Sequence, residues 1–366
     1  MDSELLYQLA LTQVPQIGDV QAKTLLQHFG SASEVFKAKK TTLEKVGNIG
    51  EVRATAIKSF EDFKPIEEEI KFIEKYKIKP LFLLDEAYPK RLLNCSDSPT
   101  LLFQKGSNDF NVSKVISIVG TRSSTEYGKQ FTEKLVSDLS HLNVLVISGL
   151  AYGIDAHAHK AALKHKLLTV GVVGHGLAKI YPHAHTALAK DIIAEGGSIL
   201  TEFFSTVKAD PHNFPLRNRI VAGLADCTVV IESAIDGGSL ITAKLADSYN
   251  RDVFAVPGRT TDKYSAGCNH LVKHNKAMLL TDAQELIEVM GWSDKKQKPK
   301  QQRQLFIELT PEEQTVIDIL KKKESVHIDE INFQSGLSSS AIAAAIINME
   351  LQGIVNSLPG KMYQLL

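Results

Sequence analysis

The chain has 366 residues, 43% of them hydrophobic, enough for two or three domains with a sizeable core. Its 42 basic and 42 acidic side chains cancel, so no global field draws it to a polyanion, and any nucleic-acid site must be a local concentration of charge. Cys95, Cys227 and Cys268 are odd in number and form no CxxC pair, which argues against a disulfide framework or an ordinary zinc site and implies a reducing compartment.

In chain order, the N-terminus lacks the basic, apolar and small-residue succession of a signal peptide. No apolar run approaches the ~20 residues of a membrane span, so a cytoplasmic protein without a membrane partner is expected. Residues 11–36, LTQVPQIGDVQAKTLLQHFGSASEVF, set a Pro-x-Ile-Gly turn before Val20, Leu25, Leu26 and Phe29 at helical spacing. Residues 43–60 repeat the logic around Ile49-Gly50. Both stretches resemble helix-hairpin-helix motifs, whose glycine turn brings backbone amides to a duplex phosphate. The plainer reading, a small helical domain whose turns connect helices, is preferred, because only Lys23, Lys45 and Arg53 flank the turns.

After Lys64-Pro65 comes a charged helix, EEEIKFIEKY, and then the strand-like residues 80–84. The stretch at 87–107, with Pro89, Pro99 and Gly106 marking loops, leads into the main domain. From Lys114 the pattern becomes short β-branched runs alternating with helical segments: VISIVG, NVLVIS, LLTVGVVG, SILTE, CTVVIES and DVFAVPG. Strands apolar throughout are covered on both faces, which predicts a parallel sheet with helices on each side, an α/β, Rossmann-like, doubly wound fold. Ligands of such sheets sit outside the carboxyl ends of the strands.

Residues 293–303 carry five Lys/Arg against one Asp and read as a basic linker. Thr310-Pro311-Glu312-Glu313 is a capping box with proline at the first helical position. It opens three helices and a Pro-Gly-turned ribbon, the pattern of a winged helix. The expected domains are 1–65 (helical), 66–292 (extended Rossmann-like), 293–306 (linker) and 307–366 (winged-helix-like).

Four glycine turns follow the strands. In the first, Gly120 lets the chain turn tightly, Ser123 and Ser124 can cap a helix or meet a phosphate oxygen, and Arg122 can fork onto one. The turn is not GxGxxG and no acidic residue ends NVLVIS, so no dinucleotide cofactor is expected. Ser148-Gly149 opens the second turn. Beyond it, Asp155 and His159 at i,i+4 read as a helix-start acid and a structural histidine rather than a base pair or metal ligands, since no third ligand follows. His175, His183 and His185, around the third turn, lack an acidic or Cys companion, so no metal is expected there. The most specific stretch is 210–258. Phe214, Arg217, Asn218 and Arg219 form a basic loop with the kit for single-stranded nucleic acid, while Gly237-Gly238-Ser239 offers amides at a helix start. The plainer alternative is a basic helix start whose arginines pair with Glu202 or Asp226.

The segments YPKRLLNCSDSPTLLFQKG, IVGTRSSTEYG, SGLAYGIDAHAHKAAL, GLAKIYP, NFPLRNRIVAGL, ESAIDGGSLITAKLA and VPG followed by GCNHLV resemble the DNA processing protein A (DprA/Smf) family over nearly the whole chain. The resemblance implies a non-enzymatic protein that binds single-stranded DNA without marked sequence preference and dimerises through the Rossmann-like domain. It further implies that the protein protects incoming DNA and loads RecA recombinase during natural transformation. By that resemblance the DNA groove comprises Arg122, Phe214, Arg217 and Arg219 with the glycine-turn amides, so Gly120, Ser123, Ser148, Gly149, Asn218, Gly237, Gly238 and Ser239 join them. Leu271, Val272 and Met278 lie near the dimer contact. Tyr152 stands where the family commonly has arginine, His175 and His185 where it has a small residue and an asparagine, and Asn275 where it has a glycine. The rival from another class is a nucleotide-processing hydrolase of the nucleoside monophosphate phosphoribohydrolase type, which uses a similar Gly-Gly turn near a glutamate. The helix expected at 338–353 contains no Lys or Arg, so it is expected to dock on protein rather than in a DNA groove.

Overall fold

A computed structural model of the chain describes residues 3–293 and 309–366; most of the expected linker, 294–306, lies outside these. The chain divides into two compact units, 1–279 and 280–366.

The first unit begins with six helices: α1 Ser3–Leu11, α2 Asp19–Phe29, α3 Ala32–Lys37, α4 Lys40–Leu43, α5 Gly50–Lys58 and α6 Lys64–Tyr76. Pro65 sits in the first turn of α6, where a missing N–H costs no helical bond, and Ile66, Ile70 and Ile73 bury one stripe of that helix. The expected boundary near residue 65 does not separate two units, because polar ties cross it. Asp19 accepts from Thr100 N at 2.7 Å and Oγ1 at 2.8 Å, and Lys23 Nζ donates to Leu93 O at 2.8 Å. Arg53 donates to Gln16 O and Asn48 O, bracing both glycine turns. Lys23 and Arg53 are therefore committed internally, which favours the connecting-turn reading over a duplex clamp.

The core of this unit is a nine-stranded sheet: β1 Lys79–Phe82, β2 Leu101–Gly106, β3 Val115–Val119, β4 Leu145–Ser148, β5 Thr169–Val172, β6 Ser198–Thr201, β7 Cys227–Val230, β8 Asp252–Ala255 and β9 Met278–Leu279. Their order is β1-β2-β6-β5-β4-β3-β7-β8-β9. All pairings are parallel except β1 with β2 and β2 with β6. Residues 101–106, expected as part of a connecting stretch, are the strand β2, bracketed by Pro99 and Gly106 and buried over its first four residues.

From β3 the strands step outward to β6. The chain then crosses back and lays β7 on the other side of β3, so the winding reverses between β3 and β7. The connecting helices are α7 Lys90–Leu93, α8 Glu126–Leu139, α9 Ile154–Lys164, α10 Thr186–Ala194, α11 Asn213–Leu224, α12 Gly238–Ser248 and α13 Ala266–Lys273. α9 packs on α8 and α10, and α11 packs on α12. Right-handed crossovers running in opposite directions place these two groups on opposite faces of the sheet.

The second unit contains α14 Ala283–Val289, α15 Pro311–Leu320, α16 Ile328–Ser335 and α17 Ser339–Leu351, with a small sheet of β10 Val326–His327, β11 Val355–Leu358 and β12 Met362–Leu365 in the order β10-β12-β11. Thr310 N donates to Glu313 Oε2 at 2.8 Å and Glu313 N to Thr310 Oγ1 at 3.2 Å, the reciprocal cap that starts α15. α17, which has no Lys or Arg, buries Ile342, Ala345, Ile346 and Met349 and exposes Ile347 and Leu351.

Candidate functional site

Every parallel strand from β3 to β8 delivers its carboxyl end to one edge, where the turns at 120–124, 149–153, 174–176 and 232–237 emerge. The first and last meet at the point where the winding reverses. Thr121 N donates to Glu232 O at 2.7 Å, and the Glu232 carboxylate accepts from Thr125 N at 2.9 Å and from Thr125 Oγ1, closing the start of α8. Turn 149–153 presses on turn 120–124. Gly153 has φ 74°, and a Cβ there would overlap the carbonyls of Thr121 and Arg122, so only glycine meets both conditions. Ile154 N then donates to Thr121 O at 3.1 Å.

On this edge Arg122 is exposed, and its guanidinium lies 5.4 Å from the centre of the Phe214 ring. The Tyr181 ring stacks on the same Phe214, 6.1 Å away and 21° from parallel. Ser123 is exposed beside Arg122, Gly120 is half-buried, and Gly238 is exposed at the start of α12. Among the described residues the amides of Gly238 and Ser239 have no internal acceptor. Phe214 sits in the first turn of α11, with Asn218 half-buried one turn further on. The structure thus brings Gly120, Arg122, Ser123, Phe214, Asn218, Gly237 and Gly238 to the open edge. Tyr181, which the sequence reading passed over, completes the aromatic pair; its signal was an aromatic residue in a strand-end turn.

The two arginines of the motif go elsewhere. The segment expected as a loop lies inside α11, and at 3.6 residues per turn Arg217 and Arg219 point about 200° apart. Arg217 is buried with its Nη1 donating to Gly149 O and Val172 O, tying α11 to the ends of β4 and β5. Arg219 is also buried and points to the helical layer, where it binds the Glu202 carboxylate, Asp97 O and Asp19 Oδ2, the last at 3.1 Å. Neither side chain is placed to track a phosphate backbone, and the expectation that they do is corrected. The plainer pairing holds for Arg219 and Glu202, whereas Asp226 pairs with Arg91 at 2.6 Å.

The turn after β4 is likewise filled from within. Asp155 accepts from Ala151 N at 3.3 Å, and a Cβ on Gly149 would strike both Asp155 Oδ2 and Arg217 Nη1. Burial pushes the Asp155 carboxyl up against the pull of Arg217, and pushes Arg217 down. Ser148 is wholly buried, its Oγ donating to Ile118 O at 2.6 Å. Ser239 is buried with its hydroxyl on Ser233 Oγ at 2.8 Å. Ser148, Gly149 and the Ser239 hydroxyl therefore support the edge without facing it.

His159 bonds Thr169 Oγ1 at 2.7 Å, and burial first, then the charges of His185 and Arg217, push it down to about 3, which keeps it neutral. His175 and His185 hold backbone groups of Gly176, Tyr181 and Leu150. Among the described residues no three His, Cys, Asp or Glu converge on a point where a metal would sit. The Gly-Gly turn that suggested a hydrolase has its nearest buried acid, Glu232, accepting from Thr125 N and Oγ1. Of the expected dimer residues, Leu271 is 3% exposed, Val272 is half-buried and Met278 stands exposed on β9. Asn275 takes φ 53°, the left-handed turn that a glycine would adopt.

Fold and edge together define a doubly wound, Rossmann-like protein whose open face is the switch point of its sheet. Comparison with known proteins narrows this class. Residues 79–291 match the family model of DNA recombination-mediator protein A, residues 299–361 that of the DprA winged helix domain, and residues 5–68 a helix-hairpin-helix motif. Protein Smf of Synechocystis sp. is 32% identical over 400 aligned positions, spanning 99% of both chains. DNA processing protein DprA of Streptococcus pneumoniae is 38% identical over 214, spanning 58% of this chain and 75% of the relative. The X-ray structure of the Streptococcus pneumoniae protein superposes with a TM-score of 0.65 at 30% identity, covering 78% of this chain and 98% of that one. A Helicobacter pylori DNA processing protein A, solved for its single-stranded DNA binding mode, superposes with a TM-score of 0.52 at 28% identity, covering 58% and 94%. The chain belongs to the DNA processing protein A (DprA/Smf) family.

Proposed function

We propose that this protein binds single-stranded DNA across the switch-point edge without marked sequence preference, and acts in the cytoplasm as a non-enzymatic recombination mediator. In that role it protects incoming strands and hands them to RecA recombinase during natural transformation. The observation that carries the reading is the Arg122–Phe214–Tyr181 assembly: one free guanidinium against two stacked rings on an open edge. Unpaired bases stack on aromatic faces while cations follow the backbone, and a duplex, with its bases already stacked, gains only the second of these. The single-stranded DNA binding mode of the Helicobacter pylori relative supports the ligand, and the recombination-mediator description of the family supports the role. A homodimer through the β9 side fits the exposure of Met278 and Leu279 on an edge strand. Fluorescence anisotropy with oligo-dT tests the binding: the Phe214→Ala variant is expected to lose about 1–3 kcal/mol of affinity. Unchanged affinity in that variant would remove the aromatic platform from the reading.

A further inference from the structure

We propose that Tyr152 is a second stacking station for an unpaired base, separate from the Tyr181–Phe214 pair. This rests on the single-strand reading above and extends the site to a turn whose backbone cradle is already filled. Tyr152 is 48% exposed at the tip of turn 149–153. Beneath it lies His185, with ring centroids 4.9 Å apart and the planes tilted by 64°. His185 is buried and its Nδ1 bonds Leu150 O at 2.8 Å, so the floor under the tyrosine is fixed.

The station adjoins the first. The next residue, Gly153, lies directly against the backbone of Arg122, whose guanidinium reaches Phe214. The strand order β5-β4-β3 sets the turn that carries Tyr152 between the turn that leads to Tyr181 and the turn that carries Arg122, all on one sheet edge. A strand laid there meets aromatic faces at Tyr152 and at the Tyr181–Phe214 pair, with the Arg122 cation beside them. A cation at position 152 would grip phosphate and deepen the salt dependence. An aromatic ring grips a base and leaves the salt dependence alone, which makes the two roles separable by measurement.

The test uses the full chain and oligo-dT, with anisotropy titrations at two salt concentrations. Tyr152→Ala is expected to weaken binding about 5-fold or more at an unchanged salt slope, Tyr152→Phe to bind as wild type, and Tyr152→Arg to steepen the slope by about 0.7. In Tyr152→Trp the new indole emission is expected to quench on adding oligo-dT. Wild-type affinity in Tyr152→Ala, or a Tyr152→Trp emission indifferent to DNA, would overturn the assignment. So would a lowered thermal midpoint in Tyr152→Ala, because it would mark the ring as packing. A wild-type chain that binds no oligo-dT would instead sink the single-strand reading itself.

Discussion

Replacing Arg219 with alanine is expected to destabilise the first unit while leaving the folded protein's affinity for single-stranded DNA near wild type. The Arg219 side chain is 10% exposed, Glu202 15% and Asp19 31%. Removing one partner of a buried ion pair strands the other and costs about 3–5 kcal/mol. Two features lower that figure here. Burial has pushed the Glu202 carboxyl up to about 7 even with Arg219 beside it, so without the cation it is neutral at physiological pH. Asp19 keeps part of its hydration. The net loss should therefore be about 2–3 kcal/mol. Urea melts followed by circular dichroism read it as a lower midpoint at unchanged slope, and anisotropy with oligo-dT reads the binding. An unchanged midpoint with lost affinity would refute the reasoning and return Arg219 to the groove.

Other perturbations separate the edge from its supports. Burial raises the Glu202 carboxyl in the fold above its ordinary value of 4.5. Its stabilising contribution is thus complete below that pH and lost as pH rises through about 7. Glu202→Gln should remove that decline, read as urea midpoints at about pH 5 and pH 8; an identical decline in the variant would place its origin elsewhere. Arg122→Ala should weaken binding to all single-stranded sequences alike and flatten the salt slope by about 0.7, whereas a sequence-dependent loss would argue against a phosphate contact. Gly153→Ala should cost at least about 1–3 kcal/mol from its left-handed backbone alone and weaken oligo-dT binding by moving turn 120–124. A wild-type thermal midpoint in that variant would contradict the close approach. Truncation after Trp292 should leave oligo-dT affinity within a few-fold, since α17 carries no cation; a collapse of affinity would make the second unit part of the site.

Much of the sheet was legible because its central strands are apolar throughout and four of them end in glycine turns. A parallel, doubly wound sheet then places those turns on one edge without further information. The direction of single side chains was not legible. Arg217-Asn218-Arg219 reads as a basic loop or as a helix start, and inside α11 helical geometry sends Arg217 and Arg219 to opposite sides. The carboxylates that meet Arg219 are 17 and 200 residues away in sequence, beyond any spacing rule. The turn after β4 shows the same ambiguity in another form: amides at a helix start attract an anion, and pattern alone does not distinguish an external phosphate from the chain's own Asp155.

The central claim is that the edge built from Arg122, Phe214 and Tyr181 takes unpaired DNA. Its most direct test is a paired titration of wild type and the Phe214→Ala, Tyr181→Ala double variant with oligo-dT and with a duplex of the same length, across a salt series. The expected result is a single-strand preference in the wild type with a salt slope near −0.7 per phosphate neutralised, and loss of that preference, but not of the slope, in the double variant. Equal or tighter binding of the duplex by the wild type, or a preference that survives loss of both rings, would contradict it.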